Sequence, residues 1–254
     1  MIDTNNFSVF GIAPYYFFAG LGLVFAFAFY ILNVSFSGKN VNKHAIILFL
    51  SFIGLGIGAV AFGCLSKICI AIYTNSSILS AFASGVGIVF YGGMTGFVFT
   101  FMLLQKKLNK TVDRTVVNIL AVSIPLFHAF ARVGCFFAGC CYGSELNTFI
   151  SVNYILRGSS EIISVFPVQL VEAILNFVLF LVLWYILKKH SDKVILPIYL
   201  FSYAIYRFLL EFLRGDTYRG KFGLLSFSQI YSLLIIITIV LFRFRKDRKN
   251  GETV

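Results

Sequence analysis

Seven long apolar runs decide what this chain can fold into: residues 10–33, 45–70, 79–104, 116–136, 168–187, 194–213 and 224–242. A helix needs about 20 apolar residues to cross a bilayer, and the runs have that scale. The chain is 59% hydrophobic and only 12% charged. Ordinary soluble chains carry about 25% charged residues, so an aqueous fold has too little polar surface here to cover itself. In hydrocarbon the backbone is satisfied only within helices or closed barrels, and runs this long and uniform are not barrel strands. The expected fold is therefore all-α. It is a polytopic membrane protein of about seven transmembrane helices, forming a single integral membrane domain over residues 1–254, with the bilayer as its solvent.

The charges set the expected orientation. Residues 1–8 carry Asp3 and no Lys or Arg. A secretory leader opens on basic residues, so the first run reads as a retained span. With the N-terminus outside, the inner side receives Lys39, Lys43, Lys106, Lys107, Lys110, Arg114, Lys188, Lys189, Lys193 and the tail cations Arg243, Arg245, Lys246, Arg248 and Lys249. The outer side receives Lys67, Arg132, Arg157, Arg207, Arg214, Arg219 and Lys221. Basic residues favour the cytoplasmic side, so the N-terminus is expected outside and the basic tail, 243–254, inside. This distribution also accounts for the net charge of +11 without a nucleic-acid-binding stripe. The segment 144–167 is the longest stretch between spans and is expected to form a small outer cap.

Two polar stripes then fall at the outer face. On a helix, Tyr203, Arg207 and Glu211 recur every fourth residue and share a face, which Arg214 continues. Ionisable groups inside a membrane usually face the bundle interior or a wet cavity. An Arg207–Glu211 ion pair that only locks helices together fits this spacing. So does a phosphate clamp made by Arg132 and Arg207, with Glu211 holding Arg207, because the planar guanidinium donates two parallel hydrogen bonds and keeps its charge. Gln169 and Glu172 share a face at the start of the fifth run, where a Glu suits either the helix dipole or a site. Gly92 and Gly93 lie within a glycine-rich stretch, 84–96, which permits close approach of another helix or of a headgroup.

The richest stretch is 128–143. It holds His128, Arg132, Gly134, Gly139 and Gly143, together with Cys135, Cys140 and Cys141. His128 lies about one turn before Arg132 and reads first as a satisfied buried histidine. The three thiols admit small apolar packing, a Cys135–Cys140 disulfide, or a reactive thiolate beside Arg132. A metal site is the weaker reading, since no nearby His or carboxylate has a recognised metal spacing. Cys64 and Cys69 complete the five cysteines.

In order along the chain, Gly92-Gly93, the Arg132-Val133-Gly134 to Tyr142-Gly143 stretch, Pro167-Val168-Gln169-Leu170-Val171-Glu172, and Tyr203 followed by Arg207-Phe208-Leu209-Leu210-Glu211-Phe212-Leu213-Arg214 resemble the bacterial prolipoprotein diacylglyceryl transferases. The resemblance covers about residues 10–240. It implies a transferase in the bacterial cytoplasmic membrane with its active face outward. Such an enzyme moves a diacylglyceryl group from phosphatidylglycerol to the lipobox cysteine thiol of a prolipoprotein and releases glycerol phosphate. It implies Arg132, Arg207, Tyr91 and Glu211 as catalytic residues. Tyr203, Gly92, Gly93, Gly134, Gly143, Gln169, Glu172 and Arg214 would line the substrate site, with no cofactor or metal. The chain departs from the pattern at Cys135, Ala138 and Cys140, at Tyr91 where the family has histidine, and at Phe17 where an aromatic hydroxyl is expected. The arginines are kept while the groups around them change, which leaves open a different acceptor, phospholipid binding without turnover, or thiol redox chemistry.

Overall fold

Each apolar run is interrupted where a polar or glycine-bearing segment can reach water, and the helices follow that punctuation. The computed structural model describes residues 2–4, 7–83, 90–156, 158, 160–190, 193–215, 221–222 and 225–251. The helices are α1 (Pro14–Phe36), α2 (Val41–Tyr73), the short α3 (Ile78–Ala83), α4 (Phe90–Asn109), α5 (Arg114–Phe137), α6 (Val168–Lys189), α7 (Ile195–Leu210, continued by a 3-10 turn Glu211–Leu213) and α8 (Phe227–Gly251). The strands are β1 (Ile2–Asp3), β2 (Val152–Ile155), β3 (Ile162–Val165), β4 (Lys221–Phe222) and β5 (Leu225–Ser226).

Among the described residues six helices, α1, α2, α5, α6, α7 and α8, are long and apolar enough to cross a membrane. The expected third run, 79–104, resolves into α3 and α4. Its residues 84–89, with Gly85 and Gly87, lie outside the described residues, as do Arg157, Asp216 and Arg219.

The chain packs as two units, Met1–Tyr30 with Asn118–Tyr218 and Ser232–Val254, and Ile31–Val117 with Arg219–Tyr231. The second unit is built on α2 against α4. A Cβ at Gly54 would come 2.6 Å from the Gly96 carbonyl oxygen, and one at Gly58 would run into that of Gly92. Glycines spaced by four on each helix thus let two backbones touch, the usual packing device where lipid removes the hydrophobic drive. At one end of this pair Lys39 Nζ lies 2.7 Å from Asp113 Oδ2, and Lys43 Nζ donates to the Leu108 carbonyl. Within the same pair the buried His44 Nδ1 meets Gln105 Nε2 at 3.0 Å.

The first unit is organised around α5. Asp113 caps that helix by accepting from the Thr115 and Val116 N–H groups. Pro125 sits inside it without ending it. In its most apolar window 83% of residues are buried, against at most 39% in any other span, so α5 is the most buried of the six. It ends in a Schellman turn. The Gly139 N–H donates to the Phe136 carbonyl and the Cys140 N–H to that of Cys135, with Gly139 at φ +63°.

The segment 144–167 contributes β2 and β3 to a small sheet of order β1-β2-β3, in which the N-terminal β1 runs parallel and β3 antiparallel to β2. The expected cap thus carries strands. It is pinned to α5 by the fully buried Tyr154, whose hydroxyl donates to the Phe136 carbonyl at 2.8 Å.

Candidate active site

The polar residues of α5, α6 and α7 converge inside the first unit. His128, Arg132, Gln169, Glu172, Asn176, Tyr203 and Arg207 are all buried. Their spacing explains the convergence. His128 and Arg132 are four apart on α5, Tyr203 and Arg207 four apart on α7, and Gln169, Glu172 and Asn176 fall at helical intervals on α6, so each helix presents one polar stripe inward.

Glu172 is the hub. Its Oε1 lies 3.1 Å from Arg132 Nη2 and 3.7 Å from His128 Nε2. The Arg132 Nε–H donates to His128 Nε2 at 3.2 Å. A ring nitrogen that accepts carries no hydrogen, so this contact assigns the His128 proton to Nδ1. Asn176 donates from Nδ2 to the Glu172 carbonyl at 2.8 Å and accepts from the Tyr206 hydroxyl at 2.8 Å. The rings of His128 and Tyr203 lie 5.3 Å apart. On α7, Arg207 Nη1 lies 2.6 Å from Glu211 Oε2, and Arg214 Nε lies 3.9 Å from the same oxygen. Arg207 and Arg214 both lie within electrostatic reach of Glu172.

The glycines and Gln169 hold this frame. A Cβ at Gly134 would come 3.1 Å from the Tyr15 backbone, so α1 and α5 meet closely there. Gly143 lies at a crossing of chains: a Cβ would come 2.6 Å from the Phe166 carbonyl and 2.8 Å from that of Leu213. There the Gly143 N–H donates to Phe166, the Ser144 N–H donates to Leu213, and Gly143 bridges Arg214. The segment after α5 is thereby tied to the segment after α7. Gln169 donates from Nε2 to the Cys140 carbonyl at 2.9 Å, which fixes the turn after α5 on α6.

Tyr91, Gly92 and Gly93 belong to the second unit. Tyr91 is buried, with its ring 4.6 Å from that of Tyr231. A Cβ at Gly92 would strike Phe62 and the Gly58 carbonyl, and one at Gly93 would reach Ala59 at 3.3 Å. Both glycines are accounted for by the α2–α4 approach.

Sequence reading missed Asn176 and Tyr206. The interval of four from Glu172 to Asn176, on an otherwise apolar helix, was the available signal. It also set Glu172 at the helix start as a cap or a site residue, and the carboxylate turns inward onto Arg132 instead of capping the helix.

Fold and site together define a multi-pass membrane protein with an arginine–carboxylate centre among three helices. The family described as prolipoprotein diacylglyceryl transferase matches residues 5–245, and this chain belongs to it. The phosphatidylglycerol–prolipoprotein diacylglyceryl transferase of Clostridium tetani is 33% identical over 250 residues, covering 96% of this chain and 98% of that one. The enzyme of that name numbered 2 in Clostridium perfringens is 31% identical over 245 residues, 95% of this chain and 94% of its own. The Campylobacter hominis enzyme of the same name is 28% identical over 274 residues, 99% of this chain and 93% of its own.

Proposed function

We propose that this chain transfers a diacylglyceryl group from phosphatidylglycerol to the lipobox cysteine thiol of a prolipoprotein, at the arginine–carboxylate centre of α5, α6 and α7. One observation carries the placement. Among the described residues the cluster gathers three guanidinium groups, Arg132, Arg207 and Arg214, around two carboxylates, Glu172 and Glu211. Buried charge is costly unless it is paired, so a centre with more cation than anion suits an anionic headgroup.

In the reaction the acceptor sulfur forms a C–S bond to the terminal glyceryl carbon while that carbon's C–O bond to phosphate breaks. The thiol gives up its proton, and the phosphate oxygen leaves with the bonding pair as glycerol phosphate. Negative charge grows on the leaving phosphate. Arg132 and Arg207 are the fixed donors for it, an electrostatic arrangement that supplies most in a site shielded from water. Glu172 and His128 hold the Arg132 fork, and Glu211 holds that of Arg207. Tyr203 and Gln169 border the headgroup, Arg214 adds a third cation, and the glycines keep the walls in place. Tyr91 is assigned the base's place that the family gives to histidine. A phenol with an ordinary pKa of about 10 needs help to act as a base, so this assignment rests on the resemblance and is tested directly.

The excess of basic residues between spans supports a bacterial cytoplasmic membrane location with the N-terminus, the cap and the site outward and the tail inward. The altered residues Tyr91 and Cys135 favour, as a second reading, a different thiol or amine acceptor for the same lipid donor.

Detergent-solubilised protein incubated with labelled phosphatidylglycerol and a lipobox peptide separates these readings. A diacylglyceryl thioether on the peptide, with released glycerol phosphate, is the expected outcome. Release of glycerol phosphate without peptide modification points to the other acceptor. Bound lipid with neither product overturns both.

A further inference from the structure

Cys135, Cys140 and Cys141 bring three sulfurs to one place. The Sγ atoms lie within 4.8 Å of one another. All three are thiols, and none of the chain's five cysteines is bridged. Cys135 is buried on the last turn of α5, and the other two are half-buried on the turn that follows.

The turn is built to hold them. The Gly139 and Cys140 N–H groups close the Schellman motif, and Cys140 Sγ reaches back to the Cys135 carbonyl at 3.7 Å. Gln169, itself fully buried on α6, clamps the Cys140 carbonyl. Cys141 takes φ +62°, a left-handed backbone that non-glycine residues rarely adopt. Such strain persists only where the surroundings over-determine it, and it gathers at functional positions. A left-handed Cys141 directly after Cys140 turns two consecutive side chains toward the one on the helix.

We propose that Cys135, Cys140 and Cys141 form a three-thiolate site for a thiophilic closed-shell cation, zinc(II) or copper(I). Zinc–sulfur bonds of about 2.3 Å at tetrahedral angles set sulfurs about 3.8 Å apart. From separations of at most 4.8 Å, closure needs shifts of about 1 Å or less. Binding is not a redox step: each thiol loses its proton to solvent and each sulfur lone pair becomes a metal bond. Among the described residues no His, Asp or Glu joins the three sulfurs, so the fourth position stays open to water or an external ligand. Three thiolates with zinc(II) carry a net charge of −1. Arg132, one turn before Cys135, offsets that charge within the same unit. Occupancy would therefore tie the turn after α5 to the arginine centre.

The site stands independently of the transferase reading, because its test measures metal and not lipid transfer. Full-length protein in detergent is reduced, freed of reductant under argon, and titrated with cobalt(II), with zinc(II) against a chromophoric chelator, and with copper(I) against bicinchoninate. One equivalent bound, with a cobalt–thiolate charge-transfer band, is expected, and the tighter of the zinc and copper arms identifies the cation. Loss of an outer-shell partner costs metal affinity about 10–100-fold. Losing a ligand should cost more, so Cys135→Ser, Cys140→Ser and Cys141→Ser are each expected to weaken binding beyond that range. Cys64→Ser with Cys69→Ser should change nothing. Cys140→Ser is the variant least expected to disturb folding, since its side chain is half-exposed, and unchanged thermal unfolding of its metal-free form checks this. Binding that survives the triple serine variant, or the lack of binding by the wild type in the cobalt, zinc and copper arms alike, overturns the proposal.

Discussion

Arg132 Nη2 lies 3.1 Å from Glu172 Oε1 between α5 and α6, and both side chains are buried. Each residue is therefore the other's main counter-charge in a place with little water. Removing one partner of such a pair costs more than the pair's own net contribution, because the survivor stays buried and unpaired.

Glu172→Gln follows from this relationship. It leaves the Arg132 guanidinium in place and removes its carboxylate. The expected loss is about 3–5 kcal/mol of stability. Phosphatidylglycerol should restore part of it, because the headgroup supplies the missing anion. Thermal unfolding in detergent, with and without the lipid, measures both effects. A variant as stable as the wild type would show that the pair carries no such load.

Arg207→Lys separates charge from geometry. The ammonium keeps the charge facing Glu211 but lacks the planar fork that matches phosphate. Removing one well-placed donor of this kind lowers turnover about 10²–10³-fold. The same fall is expected here with little change in unfolding temperature. Arg132→Lys should behave alike. Product formation from the lipobox peptide at wild-type rate in either variant removes the clamp from the mechanism.

Tyr91→Phe tests the proposed base. Only the hydroxyl is lost, while the ring packing against Tyr231 is kept. General base catalysis contributes about 10²–10⁴-fold, so a fall of that size at neutral pH is expected. If the thiol is deprotonated by another group, the rate stays within about twofold of the wild type, outside that range.

How much of this was legible before the structure varies by the range of the interaction. The spans were readable because each needs only its own residues to be apolar over bilayer length. The Arg207–Glu211 pair was readable too, since four residues on a helix set its geometry. The Arg132–Glu172 contact was not, because no local spacing links residue 132 to residue 172, and only the packing of α5 on α6 brings them together. The glycines were visible as permissive positions, but which neighbour required them was not. Gly134 meets Tyr15, Gly92 meets Gly58, and Gly143 meets Phe166 and Leu213, all partners distant in sequence. The three cysteines were weighed for packing, a bridge, reactivity and, as the weak reading, a metal. Their convergence depends on the left-handed backbone at Gly139 and Cys141, which residue type signals for glycine alone.

Asn118 offers a prediction on positioning, and sequence reading passed over it. It is buried on α5, where Nδ2 donates to the Lys193 carbonyl at 2.8 Å and Oδ1 accepts from the Ile195 N–H at 2.9 Å. One side chain thus satisfies both backbone groups at the start of α7, the helix that carries Arg207. Asn118→Ala leaves a buried donor and acceptor unpaired, at about 1–3 kcal/mol per group. The expected signs are a lower unfolding temperature and faster hydrogen exchange at Ile195, with KM for phosphatidylglycerol raised more than kcat is lowered. An unchanged exchange rate at Ile195 would refute the clamp.

Asp113 carries the pH dependence. Burial works against its charge, but the Lys39 ammonium and the Val116 and Thr115 N–H groups outweigh it and hold the carboxyl below its ordinary range. A folded value below the unfolded one stabilises the protein at every pH above the unfolded value, about 3.9. That contribution disappears as pH falls through the depressed folded value, where the carboxyl protonates in both states. Asp113→Asn keeps a helix-capping side chain but removes the charge. The variant should therefore be less stable than the wild type by a constant margin between about pH 7 and pH 5, and the margin should close only below about pH 3.9. Unfolding temperatures of the two proteins across that range test the sign. A margin that instead opens toward low pH would mean that the Lys39 contact does not depress the carboxyl.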